Sequence, residues 1–282
     1  QELTQSAVFW RAQLQGFTTP TPLRTQPASS PEKTTALPRK QFADAELHLS
    51  ATATADLYAF CRQQGLTTNT LIQASWALVL YQISGTTDLL FGATVAGRPA
   101  EIDGIEAMVG LFINTLPIRI QLPLDSEASL LAWLQTIQQQ TLAQQVHAHW
   151  TAGQIHQWSV VPASRPLYES LLVFENYRRG AGEADPSVAL RNAAQPSVVR
   201  NARSSGARTN HALTLLIQPG VTLGVHAVYE TARFAADEVE RLLTQLLTIV
   251  TEIVSAVSTA PEQRLSPWLH QYAPPLQIDP PV

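Results

Sequence analysis

The residue types able to do chemistry concentrate in one block, FGATVAGRPAEIDGIEAMVGLFINTLPIRI at positions 91–120. Gly97 permits φ > 0 or a close backbone approach, Arg98 offers a rigid fork of donors, and Pro99 stiffens the turn that follows. Asn114 and Thr115 place two polar side chains just before an apolar run, where they would face a cavity at a strand edge. A plainer reading stands level with this one. Gly97-Arg98-Pro99 is then a simple turn and Asn114 a satisfied, buried polar residue.

The other reactive side chains are less organised. His147, His149 and His156 lie in HAHWTAGQIH, but an HxH pair on a helix points its rings roughly 200° apart, so no metal site is expected there. His211 and His226 have no carboxylate close in sequence to orient them as general bases, and a structural or solvated role is expected. Arg178, Arg179, Arg191, Arg200, Arg203 and Arg208 sit in a Gly-, Ala- and Ser-rich stretch, 178–208, that reads as a mobile surface loop. The sequence contains no GxSxG, P-loop, GxGxxG or HExxH pattern. No catalytic residue is assigned within the chain.

Composition narrows the function classes. The 282 residues carry 18 Lys plus Arg against 22 Asp plus Glu, a net charge of -4, which disfavours binding to a phosphate backbone. Lys33 and Lys40 are the only lysines. One cysteine, Cys61, excludes a disulfide framework and a CxxC-type site. No secretion signal or membrane-length apolar run is evident, so a cytoplasmic protein with no membrane and no nucleic-acid partner is expected. The first residue is Gln rather than Met, and the chain is expected to begin inside a longer polypeptide.

These residues must be positioned by regular elements. Five prolines fall in 1–40 and six in 261–282, so an extended N-terminal segment and a Pro-rich C-terminal linker are expected around one body, 41–260. Within that body, Thr67 or Thr68 caps a helix that Gly85 ends, with Leu71, Ile72, Trp76, Val79 and Leu80 at helical spacing. LLFGATVAG reads as a doubly buried strand. TLPIRIQL reads as a second strand, on which Pro117 suits a start or an edge. Further expectations are a helix over 127–146, a buried strand at 170–177 and a hairpin around Pro219-Gly220. An amphipathic helix over 236–257 completes a mixed α/β chain.

Five stretches, in order, resemble one family. VAGRP followed by IEAMVGLFINTLPIR is similar to the VSGRP and MVGxFxNTxPxR segments of nonribosomal peptide synthetase condensation domains. SAVFWRAQLQG at 6–16, TTNTLIQASWALVLYQISGTTDLLFG, PLYESLLVFENY, and TNHALTLLI with VYETARF resemble further segments of the same family. Ala96 stands where the family usually has Ser, and His211-Ala212 where it usually has Tyr-Pro.

The resemblance implies an α/β, chloramphenicol acetyltransferase-like lobe, a mixed sheet packed with helices. It also implies acyl transfer between thioesters carried on phosphopantetheine arms, with no cofactor bound by this lobe. The family's general base lies in an HHxxxDG motif of the first of two lobes, and this sequence has no HH pair. The resemblance therefore implies a C-terminal lobe, inactive without its N-terminal partner. It places Gly97, Arg98, Pro99, Asn114 and Thr115 beside the substrate tunnel as positioning groups. Peptidyl carrier protein domains, the N-terminal lobe and a neighbouring adenylation domain are the implied partners. Two other functions fit the same sequence: a carrier-docking module without catalysis, and a related acyltransferase that forms esters.

Overall fold

The computed structural model describes residues 2–23, 41–96, 113–175, 197–198 and 211–274. Helix α3 (Thr68–Ser84) shows how directly the local sequence is obeyed. Thr67 caps it by accepting the Thr70 amide proton, and Gly85 ends it at φ 71°, a left-handed conformation that costs glycine little. Leu71, Ile72, Trp76, Val79 and Leu80 are all fully buried.

The strands are β1 (Phe42–His48), β2 (Asp88–Ala96), β3 (Ile113–Gln121), β4 (Ser170–Phe174), β5 (Ser197–Val198), β6 (Leu213–Gln218) and β7 (Gly224–Glu230). They form one sheet in the order β3-β2-β4-β6-β7-β1-β5. The β2–β4 and β4–β6 pairs are parallel and the others antiparallel. Pro117 is tolerated because β3 is an edge strand. The expected hairpin is β6–β7, with Leu213 opposite Tyr229 and Gln218 opposite Gly224.

Two cores flank the sheet. The larger contains α3, the sheet residues Leu213, Leu215, Ile217, Val225 and Ala227, and helices α2 (Ala51–Gln64), α4 (Leu130–Gln145) and α6 (Ala236–Thr259). With 24 residues, α6 is long and apolar enough to cross a membrane by length and composition. It instead buries Val239, Leu243, Leu246, Leu247, Val250 and Ile253 in this core. The smaller core joins α1 (Glu2–Leu14), α5 (Ala152–Gln157), Leu90 of β2, Leu116 of β3 and Tyr168. The TLPIRIQL strand is thus shared between the two: Ile118 and Ile120 lie in the larger core and Leu116 in the smaller.

Both termini contribute more regular structure than their prolines suggest. The segment 1–40 is not extended throughout, because residues 2–14 form α1, where Ser6, Trp10 and Leu14 recur at helical spacing and are buried. At the other end, α7 (Leu265–His270) inserts Leu265, Trp268 and Leu269 into the larger core. Pro267 is accepted there because the first helical turn needs no intrahelical donor. Beyond α7, Tyr272 donates its phenol proton to Glu252 of α6. Of the Arg-rich stretch 178–208, all but Ser197 and Val198 lies outside the described residues.

Candidate functional site

Gly97, Arg98 and Pro99 lie outside the described residues, immediately after β2. Asn114 and Thr115 form the first part of β3, opposite Val95 and Thr94 of β2. Asn114 has no free amide hydrogen to offer. Its Nδ2 donates to the carbonyls of Ala148 at 2.6 Å and Trp150 at 2.7 Å, while Oδ1 accepts from the Thr115 amide at 2.8 Å. An amide side chain has two N–H donors, so a bond from Asn114 to substrate would displace one of these tethers. Asn114 therefore holds the segment after α4 to the start of β3.

The tethered segment is an aromatic cluster. The Nδ1 atom of His147 lies 2.9 Å from Ser6 Oγ, its ring stacks on Phe9 with centroids 4.2 Å apart, and its carbonyl accepts from Trp10 Nε1 at 3.3 Å. Desolvation, aided by the nearby His149, holds the His147 imidazole below its ordinary pKa. The Trp150 and Trp158 rings meet edge to face at 5.7 Å. His147 and His149 lie past the end of α4, and His156, on α5, faces the Val161 carbonyl at 3.2 Å. Among the described residues, no three His, Cys, Asp or Glu side chains converge as a metal site requires.

At the opposite end of β3, Arg119 of the INTLPIR segment makes a two-sided contact that its alternation with apolar neighbours does not reveal. Nε and Nη2 each donate at 2.7 Å to the two carboxylate oxygens of Asp88 on β2. Nη1 donates to the carbonyls of Gln13 at 2.9 Å and Gln15 at 2.7 Å, at the end of α1. Only a planar guanidinium serves a carboxylate and two carbonyls at once.

In the middle of β2, Gly92 is required by its neighbour. A Cβ on Gly92 would lie 2.4 Å from Tyr168 Cε2. Burial pushes the Tyr168 phenol up to about 12. The ring also stacks on His211, 5.3 Å away, whose imidazole is held below its ordinary pKa by desolvation.

His226, without a carboxylate near it in sequence, meets Asp44 of β1 at 3.0 Å across the β1–β7 pair. The two positions are 182 residues apart, so only the sheet register brings them together. His48 and Glu46, two positions apart on β1, make a local pair at 2.9 Å. Neither pair belongs to the cluster around Asn114. Two clefts, of about 430 and 330 Å³, lie near the other end of β3, one lined by Thr87 and Leu122–Ser126, the other between Ile120, Gln121 and α4. Neither includes Asn114 or Thr115.

The fold is mixed α/β of the chloramphenicol acetyltransferase-like class, with the INTLPIR strand at the edge of its sheet. The family model of the condensation domain matches residues 1–267, and the chain belongs to the condensation-domain family of nonribosomal peptide synthetases. A linear gramicidin synthase polypeptide of Brevibacillus parabrevis is 39% identical over 265 residues, covering 94% of this chain and 3% of that protein. Chondramide synthase of Chondromyces crocatus is 33% identical over 270 residues, covering 96% of this chain and 6% of its own length. The fold is shared with the X-domain from teicoplanin biosynthesis, at a TM-score of 0.67 and 23% identity, over 93% of this chain and 56% of that one. It is shared also with a four-domain nonribosomal peptide synthetase, at a TM-score of 0.70 and 17% identity, over 95% of this chain and 20% of that one.

Proposed function

We propose that this chain acts as the C-terminal lobe of a condensation domain, contributing to amide-bond formation between carrier-tethered aminoacyl or peptidyl thioesters. The observation that carries this reading is the intact INTLPIR strand in a chain 39% identical to a linear gramicidin synthase. The overlap with 56% of the X-domain chain supports a single lobe rather than a whole two-lobed domain.

In this reaction the acceptor amine attacks the donor thioester carbonyl. A C–N bond forms, the C–S bond breaks, and the amine proton passes by way of a base to the departing thiolate. Most of the acceleration comes from holding the two reactants together, aided by tethering both to carriers. The base belongs to an HHxxxDG motif on the N-terminal lobe, so this chain alone is inactive. It binds no cofactor, since the reactive sulfur arrives on the phosphopantetheine arms of peptidyl carrier protein domains. A neighbouring adenylation domain and a cytoplasmic setting complete the proposal.

Gly97, Arg98 and Pro99 would then border the substrate tunnel beside Thr115. Asn114 acts by fixing the 148–150 backbone, not by touching the thioester. The test is titration of the chain with an HHxxxDG-bearing lobe in a calorimeter. Saturable association that Asn114→Ala weakens supports the reading. No association between folded partners refutes it.

A further inference from the structure

A helix of 13 residues such as α1 is marginal alone in water, so its tertiary contacts set its place. The structure holds α1 along its middle and at its C-terminal end. Arg119 binds its last carbonyls, which have no intrahelical donors and favour a cation. Ser6 and Trp10, one turn apart along its middle, bind His147, and the His147 segment hangs from Asn114. Asn114 and Arg119 are both on β3, five positions and so roughly 17 Å apart along the strand. They share no bonding partner, yet their contacts meet on the same helix, Arg119 at its C-terminal end and Asn114 by way of His147 at its middle.

We propose that Arg119 and Asn114 are a coupled pair of positioning residues, with α1 as the strut between them, that hold the β2–β3 hairpin and the smaller core as one rigid piece. The consequence for catalysis rests on the proposed function, but the mechanical claim does not. The closed path runs from Arg119 through α1 to Ser6 and Trp10, on to His147, and through Ala148 and Trp150 to Asn114. It returns to Arg119 along β3. Opening the path at either end frees the helix at that end and removes the constraint at the other. Substitutions so far apart normally act independently. Here they do not.

Hydrogen exchange of the full chain, read by mass spectrometry, tests the strut. Arg119→Met is expected to speed exchange at 147–151, which Arg119 does not touch, as well as at 13–17, by roughly tenfold or more given the loss of charge-assisted bonds. Asn114→Ala is expected to do the same at 13–17. The double variant should exchange little faster than either single one. Arg119→Lys should behave like Arg119→Met, because an ammonium cannot span the Asp88 carboxylate and two carbonyls. If Arg119→Met does not fold, the milder Asp88→Asn serves in its place.

Gln138→Ala controls for general destabilisation. Gln138 binds Thr67, Thr70 and Gly65 on the larger-core side, and its loss should leave 13–17 and 147–151 unchanged. Effects confined to each variant's own end, and multiplying in the double variant, would overturn the strut. With a complementing lobe, Arg119→Met should lower kcat severalfold while KM for the carriers holds. An unchanged kcat would overturn the positioning role. Failure of the unaltered lobes to form product would refute the proposed function and leave the exchange result to decide the strut.

Discussion

Replacing Gly92 by alanine puts one methyl group where the structure has no room. The added carbon would meet Tyr168 at 2.4, 2.8 and 2.9 Å from Cε2, Cδ2 and Cζ. Ordinary carbon contacts begin near 3.5 Å, so the ring must retreat by about 1 Å. Tyr168 is 6% exposed and its ring stacks on His211, so a retreat must disturb close packing. Overpacking of this kind costs about 1–3 kcal/mol, and a disturbed ring stack adds about 0.5–1.5. The expected loss is therefore about 1.5–4.5 kcal/mol, a large share of the roughly 5–15 that a domain possesses. Urea unfolding at neutral pH should show a lower midpoint with an unchanged slope. Tyr168→Ala is destabilising by itself, but with the ring gone Gly92→Ala should be neutral or stabilising, since alanine suits a strand better than glycine does. An equal loss in both backgrounds would refute the steric argument.

Acid should weaken the smaller-core side first. The His147 and His211 imidazoles are held below their ordinary pKa in the fold, so the unfolded chain binds protons that the native state refuses. Their contribution is complete above the unfolded value near 6.5 and falls away as pH drops through the lower folded values. Urea midpoints at pH 7.5 and pH 5 should differ, and by less in a His147→Gln, His211→Gln chain. Alkali acts through tyrosines. The Tyr168 phenol is pushed up to about 12 by burial, and Tyr272 is raised by burial and by Glu252. The unfolded chain loses these protons near pH 10 while the fold retains them, so stability should decline from about pH 10 upward. A Tyr168→Phe, Tyr272→Phe chain compared at pH 9 and 11 should flatten that decline.

What could be read from the sequence was set by how local the determinants are. Thr67 and Gly85 carry the limits of α3 within the chain's own caps. The alternation of β6 and β7 around Pro219-Gly220 carries their pairing. The helix α1 escapes because its anchor points, His147 and Arg119, are more than 100 positions away. Pro267 hides α7, although proline at a first turn is compatible with helix. The candidate site was legible as a motif and not as a mechanism. The letters of INTLPIR mark Asn114 as polar at a strand edge, but the carbonyls that occupy its amide come from residues 148 and 150. Asp44 and His226 show the same limit, since their pairing exists only through the register of β1 on β7.

As proposed, this chain supplies half of an amide-forming site. Its most direct test mixes the chain with an HHxxxDG-bearing lobe, a donor carrier bearing an aminoacyl thioester and an acceptor carrier bearing a second, and measures the intact mass of the acceptor carrier. The proposed function predicts a mass increase equal to the donor acyl residue, seen only when both lobes are present, with aminolysis of the carrier thioester releasing the donor and acceptor residues still joined, as an amide link survives and an ester link does not. The same increase with the chain and carriers alone, or none when the lobes are assembled and both carriers loaded, would contradict it.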